Sequence, residues 1–270
     1  MSNNHLLAML RRGRAASSGG GGGSGSTPDW EILRDFNSGT VGASVQGQPD
    51  GMDSDAGASV YTTEQVYAGA RSMKTTIEVG TGGFGMWGGI INFTDSLVRY
   101  DTLWFDIRAF FPTGYDITTT PKHLKFLRFR TFQAGGANRG YNDLYIQDDS
   151  ISDQQRFKFI REGQDIWYYG GGTGQMARNT WHRFTVKLVL DTVAKSAGGQ
   201  SLVRVWYDDT LIISSDDIVS LGGATDYMNS FYLHTYWNND NAPATQSSYY
   251  DDIRIAKNGV PSWVSGLSGV

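Results

Sequence analysis

The amino-acid sequence predicts an all-β sandwich or jelly roll, preceded by a short arm and a flexible tether. Three observations support this prediction. From Trp30 onward the apolar residues recur with period two, as they do along strands that bury one face. About a dozen such runs are separated by turns rich in Gly, Asn and Asp. No convincing helix of ten or more residues follows residue 30.

The composition supports one folded domain of substantial size. The chain has 270 residues, of which 39% are hydrophobic and 13% aromatic, so it can bury a real core. We assign residues 1–16 to an arm, 17–28 to a Gly/Ser-rich linker and 29–270 to the β domain, since no second linker is evident. The chain has no cysteine, so its stability must come from packing.

The charge is divided unevenly between the arm and the domain. The formal net charge is −4, and the arm contributes three arginines and no acidic residue. Residues 27–270 therefore carry −7, from 20 basic and 27 acidic side chains. This balance argues against nucleic-acid binding by the folded domain. No apolar run approaches the roughly 18 residues that a membrane helix needs.

The arm has the pattern of a short amphipathic helix followed by basic residues. A tether of ten Ser and Gly residues follows it, and its mean reach is about 18 Å. An arm of this kind can anchor the chain to a partner while the tether holds the domain away from it. The predicted anchoring residues are Leu6, Met9, Leu10, Arg11, Arg12 and Arg14.

Two segments show the strand pattern most clearly. In TLWFDIRAFFP, residues 102–112, alternation directs Leu103, Phe105 and Ile107 to one face. WHRFTVKLVLD, residues 181–191, alternates in the same way. Further strands are predicted over residues 30–36, 72–79, 84–93, 123–133, 143–148, 155–161, 165–169, 201–207, 210–214, 229–238 and 248–256.

The C-terminal half has a recognisable order of strands. WHRFTVKLVLD is followed by the hairpin VRVWYDDTLI, by NSFYLHTYWNN and by the closing strand YYDDIRIA. This order resembles the concanavalin-A-like jelly roll, and it looks closest to the modules of laminin-G-like lectin domains and of alginate and glucuronan lyases. The resemblance covers residues 60–256 and implies two antiparallel sheets. In relatives of this fold, a concave groove binds saccharide chains.

The resemblance also implies a set of residues for β-elimination. Arginine would neutralise a uronate carboxylate, a neutral His or Tyr would remove the adjacent proton, and Tyr would protonate the leaving oxygen. Period two directs Tyr232, His234, Tyr236 and Asn238 of NSFYLHTYWNN to one face. LRFRTFQ supplies two arginines but lacks the acidic residue of the family's R-T-E-x-R strand. The implied catalytic residues are His234, Tyr236, Arg128 and Arg130.

Saccharide binding without chemistry requires only aromatic platforms and a few polar groups. The candidates are Trp167, Tyr168, Tyr169, Tyr232 and Tyr236. No cofactor is predicted. The loop PDGMDSDAGA offers a weak calcium site through Asp50, Asp53 and Asp55, although its spacing is not that of an EF-hand.

The arm and its tether resemble the openings of tailed-phage structural proteins. We therefore expect a non-enzymatic virion structural protein: a capsid decoration protein, head fibre or tail adsorption component at the virion surface. The arm would bind a major capsid or tail protein, and an oligomeric jelly roll would bind host-surface glycans. The alternative is a polysaccharide lyase that cleaves uronate polymers and leaves the cell by a non-classical route. A third possibility is a freestanding lectin.

Overall fold

The computed structural model describes residues 26–54, 58–85, 87–117, 123–147, 156–164, 166–237 and 241–270, and it describes Tyr236 by its backbone alone. The predicted anchoring arm, residues 1–16, lies outside the described residues, as does most of the predicted linker. No helix among the described residues has both the length and the apolar character needed to span a bilayer.

The described chain consists of fourteen strands and two short 3₁₀ turns, Lys195–Ala197 and Ser262–Val264. The strands are β1 (Trp30–Arg34), β2 (Ser59–Thr62), β3 (Ser72–Ile77), β4 (Gly89–Leu97), β5 (Thr102–Phe110), β6 (Leu124–Phe132), β7 (Asn138–Ile146), β8 (Phe157–Arg161), β9 (Tyr168–Gly170), β10 (Trp181–Val189), β11 (Leu202–Tyr207), β12 (Thr210–Ser215), β13 (Tyr227–Trp237) and β14 (Gln246–Lys257).

The strands form two antiparallel sheets, which confirms the predicted all-β sandwich. The larger sheet has eight strands in the order β12-β11-β10-β5-β14-β3-β2, with β1 added on β14. The smaller sheet has six strands in the order β4-β13-β6-β7-β8-β9. Strand β14 is the hub of the larger sheet, because β1, β3 and β5 all pair with it.

An aromatic core joins the two sheets. The ring centroid of Phe105, on β5, lies 5.2 Å from that of Phe129 on β6 and 4.4 Å from that of Phe231 on β13. Phe184, on β10, contacts Phe126 of the smaller sheet at 5.1 Å. The alternation predicted for residues 102–112 and 181–191 is confirmed, since the side chains predicted to face inward are buried in this core.

Three strands were placed incompletely by sequence. Strand β4 was predicted over residues 84–93 and instead runs over Gly89–Leu97. The short strand β2 was not predicted, and β7 begins five residues before the predicted start at residue 143. The early part of β7 contains Gly140, whose φ of 101° is a left-handed conformation that favours glycine. Residues of this kind hide a strand from a search based on alternation, because they have no side chain to contribute to the pattern.

Irregularities in β6 and β13 determine which side chains leave the core. The pairing of β6 with β7 shifts between Lys125 and Leu127, and the adjacent residues Phe126 and Leu127 are both buried in the core. Lys125 and Arg128 therefore share the outer face, although three positions separate them. In β13 the register with β6 shifts between Leu233 and Tyr236.

The C-terminal segment covers part of the larger sheet. The indole Nε1 of Trp104 donates to the Gly259 carbonyl oxygen at 2.9 Å, and that of Trp206 donates to the Ser268 carbonyl oxygen at 2.6 Å. Both indoles are buried, and they stack on each other at 6.1 Å. This segment therefore closes the outer face at β5 and β11.

Candidate active site on the six-stranded sheet

The outer face of the smaller sheet concentrates charged and phenolic side chains. They come from β13, β6, β7 and β8 and from the residue that directly follows β8. We call this set the polar face; its members are Lys125, Arg128, Arg130, Tyr141, Asp143, Tyr145, Lys158, Glu162 and Tyr232. Its four cations and two carboxylates give it a charge of +2, on a domain that carries −7 overall.

A buried ion-pair network holds the centre of the polar face. Arg128 is 1% exposed, and its Nε and Nη2 donate to the two carboxylate oxygens of Asp143 at 2.9 and 3.1 Å. Its Nη2 also donates to Glu162, and its guanidinium lies 3.7 Å from the centre of the Tyr141 ring. Burial lowers the pKa of Arg128, but the charges of Asp143 and Glu162 outweigh this effect and raise it.

This network changes the role predicted for Arg128. Its charge is compensated inside the protein, and a bidentate partner already occupies its donors. It is therefore placed to hold β6 against β7 rather than to neutralise a substrate carboxylate. The acidic partner that the strand LRFRTFQ lacks comes instead from Asp143 on β7 and Glu162 just after β8.

Arg130 is the more accessible arginine of the polar face. It is half-buried, its Nη1 donates to the Tyr232 hydroxyl oxygen at 2.6 Å, and its Nε donates to the Asn138 side-chain oxygen at 3.3 Å. No carboxylate of the described residues forms an ion pair with it. Arg130 therefore carries a positive charge that a bound anion can neutralise, and the phenol of Tyr232 lies beside that charge.

A glycine-rich loop brings an exposed aromatic ring over this pair. Phe84 is 55% exposed, and its ring centroid lies 6.2 Å from that of Tyr232 and 6.3 Å from that of Tyr141. The loop lies directly on β13, and a Cβ at Gly88 would be only 2.7 Å from the Leu233 carbonyl oxygen. Glycine at this position lets the loop approach the strand and present Phe84 outward.

The opposite end of the polar face holds a neutral imidazole. The ring of His123 stacks on Tyr145 with a centroid separation of 6.3 Å. Burial, together with the positive charge of Lys158, lowers the pKa of His123 to about 3. Strict alternation placed His123 on the face opposite Arg128; the irregularity after Lys125 brings it to the same face. In the sequence, this irregularity is indicated by the two adjacent apolar residues Phe126 and Leu127.

His234 does not lie on the polar face. It is 0% exposed, and its Nδ1 lies 3.1 Å from the Tyr250 hydroxyl oxygen in the core. Its ring packs edge-on against Trp87 and Trp237, and burial lowers its pKa to about 3. Its φ of 53° belongs to the irregular part of β13, which turns the side chain inward. Tyr236 pairs with Lys125 of β6, and its side chain lies outside the described residues.

The other aromatic candidates have separate environments. Trp167 lies beside the polar face, its ring 5.7 Å from that of Tyr145. Tyr168 packs against the core. Tyr169 is exposed and lines a cavity of about 560 Å³ with Arg156 and Tyr207 at the edge of the sheet. Only Trp167 and Tyr232 therefore adjoin the charged centre among the candidates whose side chains are described.

The aspartates considered for calcium fix their own loop. Asp50 accepts the Ser38 N–H at 2.6 Å and the Tyr61 hydroxyl at 2.7 Å. Asp53 pairs with Arg34 at 3.1 Å. Asp55 lies outside the described residues. Within the described part of the chain, no three or more His, Asp or Glu side chains form a group able to hold a metal ion.

Comparisons with known proteins give fold relatives and no sequence relatives. No family model matches the chain, and no curated protein matches it. Among solved structures, the alginate lyase Aly36B has a TM-score of 0.59 at 12% identity and covers 85% of this chain and 97% of its own. The alginate lyase of Aplysia kurodai has a TM-score of 0.55 at 12% identity, covering 85% and 99%. The endo-β-1,4-glucuronan lyase of the fungus Trichoderma reesei has a TM-score of 0.52 at 10% identity, and the match covers 85% of this chain and 95% of the lyase.

These comparisons confirm the jelly-roll sandwich and correct the expected function. These three solved structures, which share the fold across nearly their whole length, are polysaccharide lyases. They contradict our main expectation of a non-enzymatic virion structural protein and favour the alternative. That expectation was based on the composition of the N-terminal arm, which carries no information about the chemistry of the domain that follows it.

Proposed function

We propose that the protein is a polysaccharide lyase that cleaves uronate polymers by β-elimination. The observation that carries this proposal is the pair of Arg130 and Tyr232 on the polar face. The Nη1 of Arg130 lies 2.6 Å from the Tyr232 hydroxyl oxygen, and no carboxylate of the described residues forms an ion pair with the Arg130 guanidinium. β-Elimination requires a cation that binds a carboxylate and a proton carrier beside it.

Arg130 would bind the carboxylate of the uronate at the cleavage point. Neutralising that carboxylate makes the hydrogen on the adjacent carbon more acidic, because negative charge that develops during its removal is stabilised. A guanidinium suits this role, since it can donate two parallel hydrogen bonds to a carboxylate. Its bonds to Tyr232 and Asn138 hold it in one orientation.

Tyr232 would carry the proton. Its hydroxyl would first lose its proton to solvent, and the guanidinium of Arg130 would stabilise the phenolate. The phenolate oxygen then takes the hydrogen from the carbon next to the carboxylate and becomes a phenol again, and that carbon's electron pair forms the new double bond as the bond to the glycosidic oxygen breaks. The same phenol then gives the proton to the leaving oxygen, so no water or redox partner is consumed. The positive charge of Arg130 lies where negative charge develops on the phenol oxygen.

The surroundings of the pair suit an acidic saccharide. The polar face has a charge of +2 in a net-negative domain, so it attracts an anionic polymer locally. Phe84 offers an exposed ring beside the pair for the apolar face of a sugar. One structure of the similar Aly36B is a variant, with a lysine and a tyrosine replaced by alanine, in complex with alginate tetrasaccharide. This relative supports a uronate polymer as the substrate class.

The test is turnover of alginate and polyglucuronate, followed by the ultraviolet absorbance of the unsaturated product. We expect the Tyr232→Phe variant to lose a factor of about 10² to 10⁴ in kcat, which is the usual contribution of a proton-transfer group. The phenylalanine ring keeps the contact with Ile90 and Tyr141, so the fold should persist. Tyr100→Phe removes a hydroxyl from an exposed turn and is the matched control.

Two outcomes would contradict the proposal. If the unaltered protein releases no unsaturated product from either polymer, the lyase assignment fails. If Tyr232→Phe retains turnover within a few-fold, the assignment of Tyr232 fails, and His123 would be the next residue to replace.

A further inference from the structure

A row of aromatic residues crosses the outer face of the eight-stranded sheet, on the side of the molecule away from the polar face. The row consists of three residues that are paired in register across β14, β5 and β10: Tyr249, Phe110 and Trp181. Lys74 of β3 pairs with Tyr249 and lies next to the end of the row. Phe110 and Tyr249 are buried, whereas Trp181 at the end of the row is half-buried. Its indole centroid lies 5.5 Å from that of Phe110. The sheet therefore holds one partly exposed indole on a rigid base.

A loop places a second ring beside this indole. The backbone N–H groups of Tyr67 and Ala68 both donate to a carboxylate oxygen of Asp251, at 3.0 and 3.1 Å. This anchor uses the backbone of Tyr67 and leaves its side chain 44% exposed. The Tyr67 ring meets Trp181 edge-on with a centroid separation of 5.8 Å. Two aromatic rings are thus fixed next to each other at the surface.

Arg108 lies beside Tyr67, and none of its side-chain N–H groups donates to another described residue. Its guanidinium is 4.6 Å from the centre of the Tyr67 ring. It is the one arginine in the described part of the chain that makes neither a hydrogen bond nor an ion pair with another residue. Stacking on tyrosine orients the guanidinium plane and leaves its N–H edges available.

The acidic residues around Arg108 are engaged elsewhere. Asp106 accepts from Arg183 at 2.6 Å and from Thr185. Asp208, in the turn after β11, accepts from His182 at 2.8 Å. Asp251 accepts the loop N–H groups described above. Each carboxylate accepts from other donors, and Asp106 and Asp208 interact with Arg108 through its charge, without a hydrogen bond to it. The N–H groups of Arg108 are therefore available to a ligand from outside the chain.

We propose that Tyr67, Arg108 and Trp181 form a second, non-catalytic binding site for acidic polysaccharide. The two rings would pack against the apolar faces of sugar residues, and Arg108 would donate two hydrogen bonds to a uronate carboxylate. One arginine beside two surface rings suits a uronate, which has one carboxylate and an apolar ring face, whereas a polynucleotide is bound through many cations, which a domain with a net charge of −7 lacks here. This site does not depend on the proposed lyase activity.

The test uses the full chain with Arg130→Ala and Tyr232→Phe, which removes cleavage and the exposed charge of the polar face. Binding to immobilised alginate and to neutral dextran is measured by biolayer interferometry. We expect this background protein to bind alginate and not dextran. Adding Arg108→Gln should weaken binding about tenfold or more, as expected for a lost charge-assisted contact. Tyr67→Ala should weaken it similarly.

Lys195→Gln provides the matched control, because it removes one positive charge from an exposed side chain of the 3₁₀ turn after β10. Thermal unfolding confirms that each variant is folded. The proposal is overturned if the background protein does not bind alginate, or if Arg108→Gln and Tyr67→Ala bind as well as Lys195→Gln. Equal binding to dextran, or preferential binding to polyglutamate, would also overturn the assignment of an acidic saccharide.

Discussion

Replacement of His234 by Asn should change the pH dependence of stability without removing activity. His234 is fully buried in the core, and burial lowers its pKa from 6.5 to about 3. Asn is suitable because it tolerates the φ of 53° at this position better than most residues do. The lost packing against Trp87 and Trp237 lowers the free energy of unfolding by an amount that does not depend on pH.

The magnitude follows from proton linkage. Between pH 6.5 and pH 3 the unfolded chain binds a proton at His234 and the folded chain does not. This contribution to stability is therefore complete above pH 6.5 and is lost as the pH falls. Each pH unit in this range is worth about 1.4 kcal/mol, so between pH 7 and pH 5 the unaltered protein loses about 2 kcal/mol that the variant does not lose.

The measurement is urea denaturation of both proteins at pH 7 and pH 5, together with turnover of alginate at pH 7. His123 and the carboxylates titrate in both proteins, so their contributions cancel when the two pH differences are subtracted. A variant with an unchanged pH difference would refute the burial of His234. A folded variant that has lost turnover would instead restore the catalytic role first predicted from sequence.

Two other changes test the architecture. Replacing Arg128 by Met should cost about 3–5 kcal/mol of unfolding free energy, because it leaves Asp143 buried without its cation, and adding Asp143→Leu should recover part of that loss in the same urea titration. Full stability of the single variant would contradict this account. Deleting residues 261–270 should expose Trp104 and Trp206, which red-shifts tryptophan emission and lowers the melting temperature. An unchanged spectrum would show that the segment does not cover them.

Alternation was sufficient to predict the faces of β5 and β10 because their pairing is unbroken. Nine consecutive residues of β10 pair with β5 without a register shift. Every side chain between Trp181 and Val189 therefore keeps the face that its position in the sequence assigns. Where a strand is regular, the sequence contains the information needed to separate core from surface.

The same reasoning failed in β6 and β13, which carry the candidate site. One additional residue in a strand reverses the faces of all residues beyond it. His123 and Lys125 consequently join Arg128 on the polar face, while His234 enters the core. The sequence shows no glycine or proline at either irregularity, and the adjacent pair Phe126 and Leu127 is the one local sign.

The polar network was also beyond the reach of local patterns. Arg128 is neutralised by Asp143, on the neighbouring strand, and by Glu162, which lies beyond a further turn. The uncompensated charge of Arg130 is recognisable only once these partners are assigned. Conversely, the fold itself was predictable, because it depends on the number and order of strands more than on any single residue.

The position of β14 has a consequence for biosynthesis. Residues 246–257 form the last described strand, so they emerge from the ribosome after the other described strands. Strands β1, β3 and β5 all pair with β14 and cannot complete this pairing before it has been synthesised. The larger sheet therefore closes only after residue 257 has been translated. Until then the nascent chain exposes strand edges that favour aggregation. Recombinant yield should accordingly respond to slower translation or to holdase chaperones more than to changes in the smaller sheet.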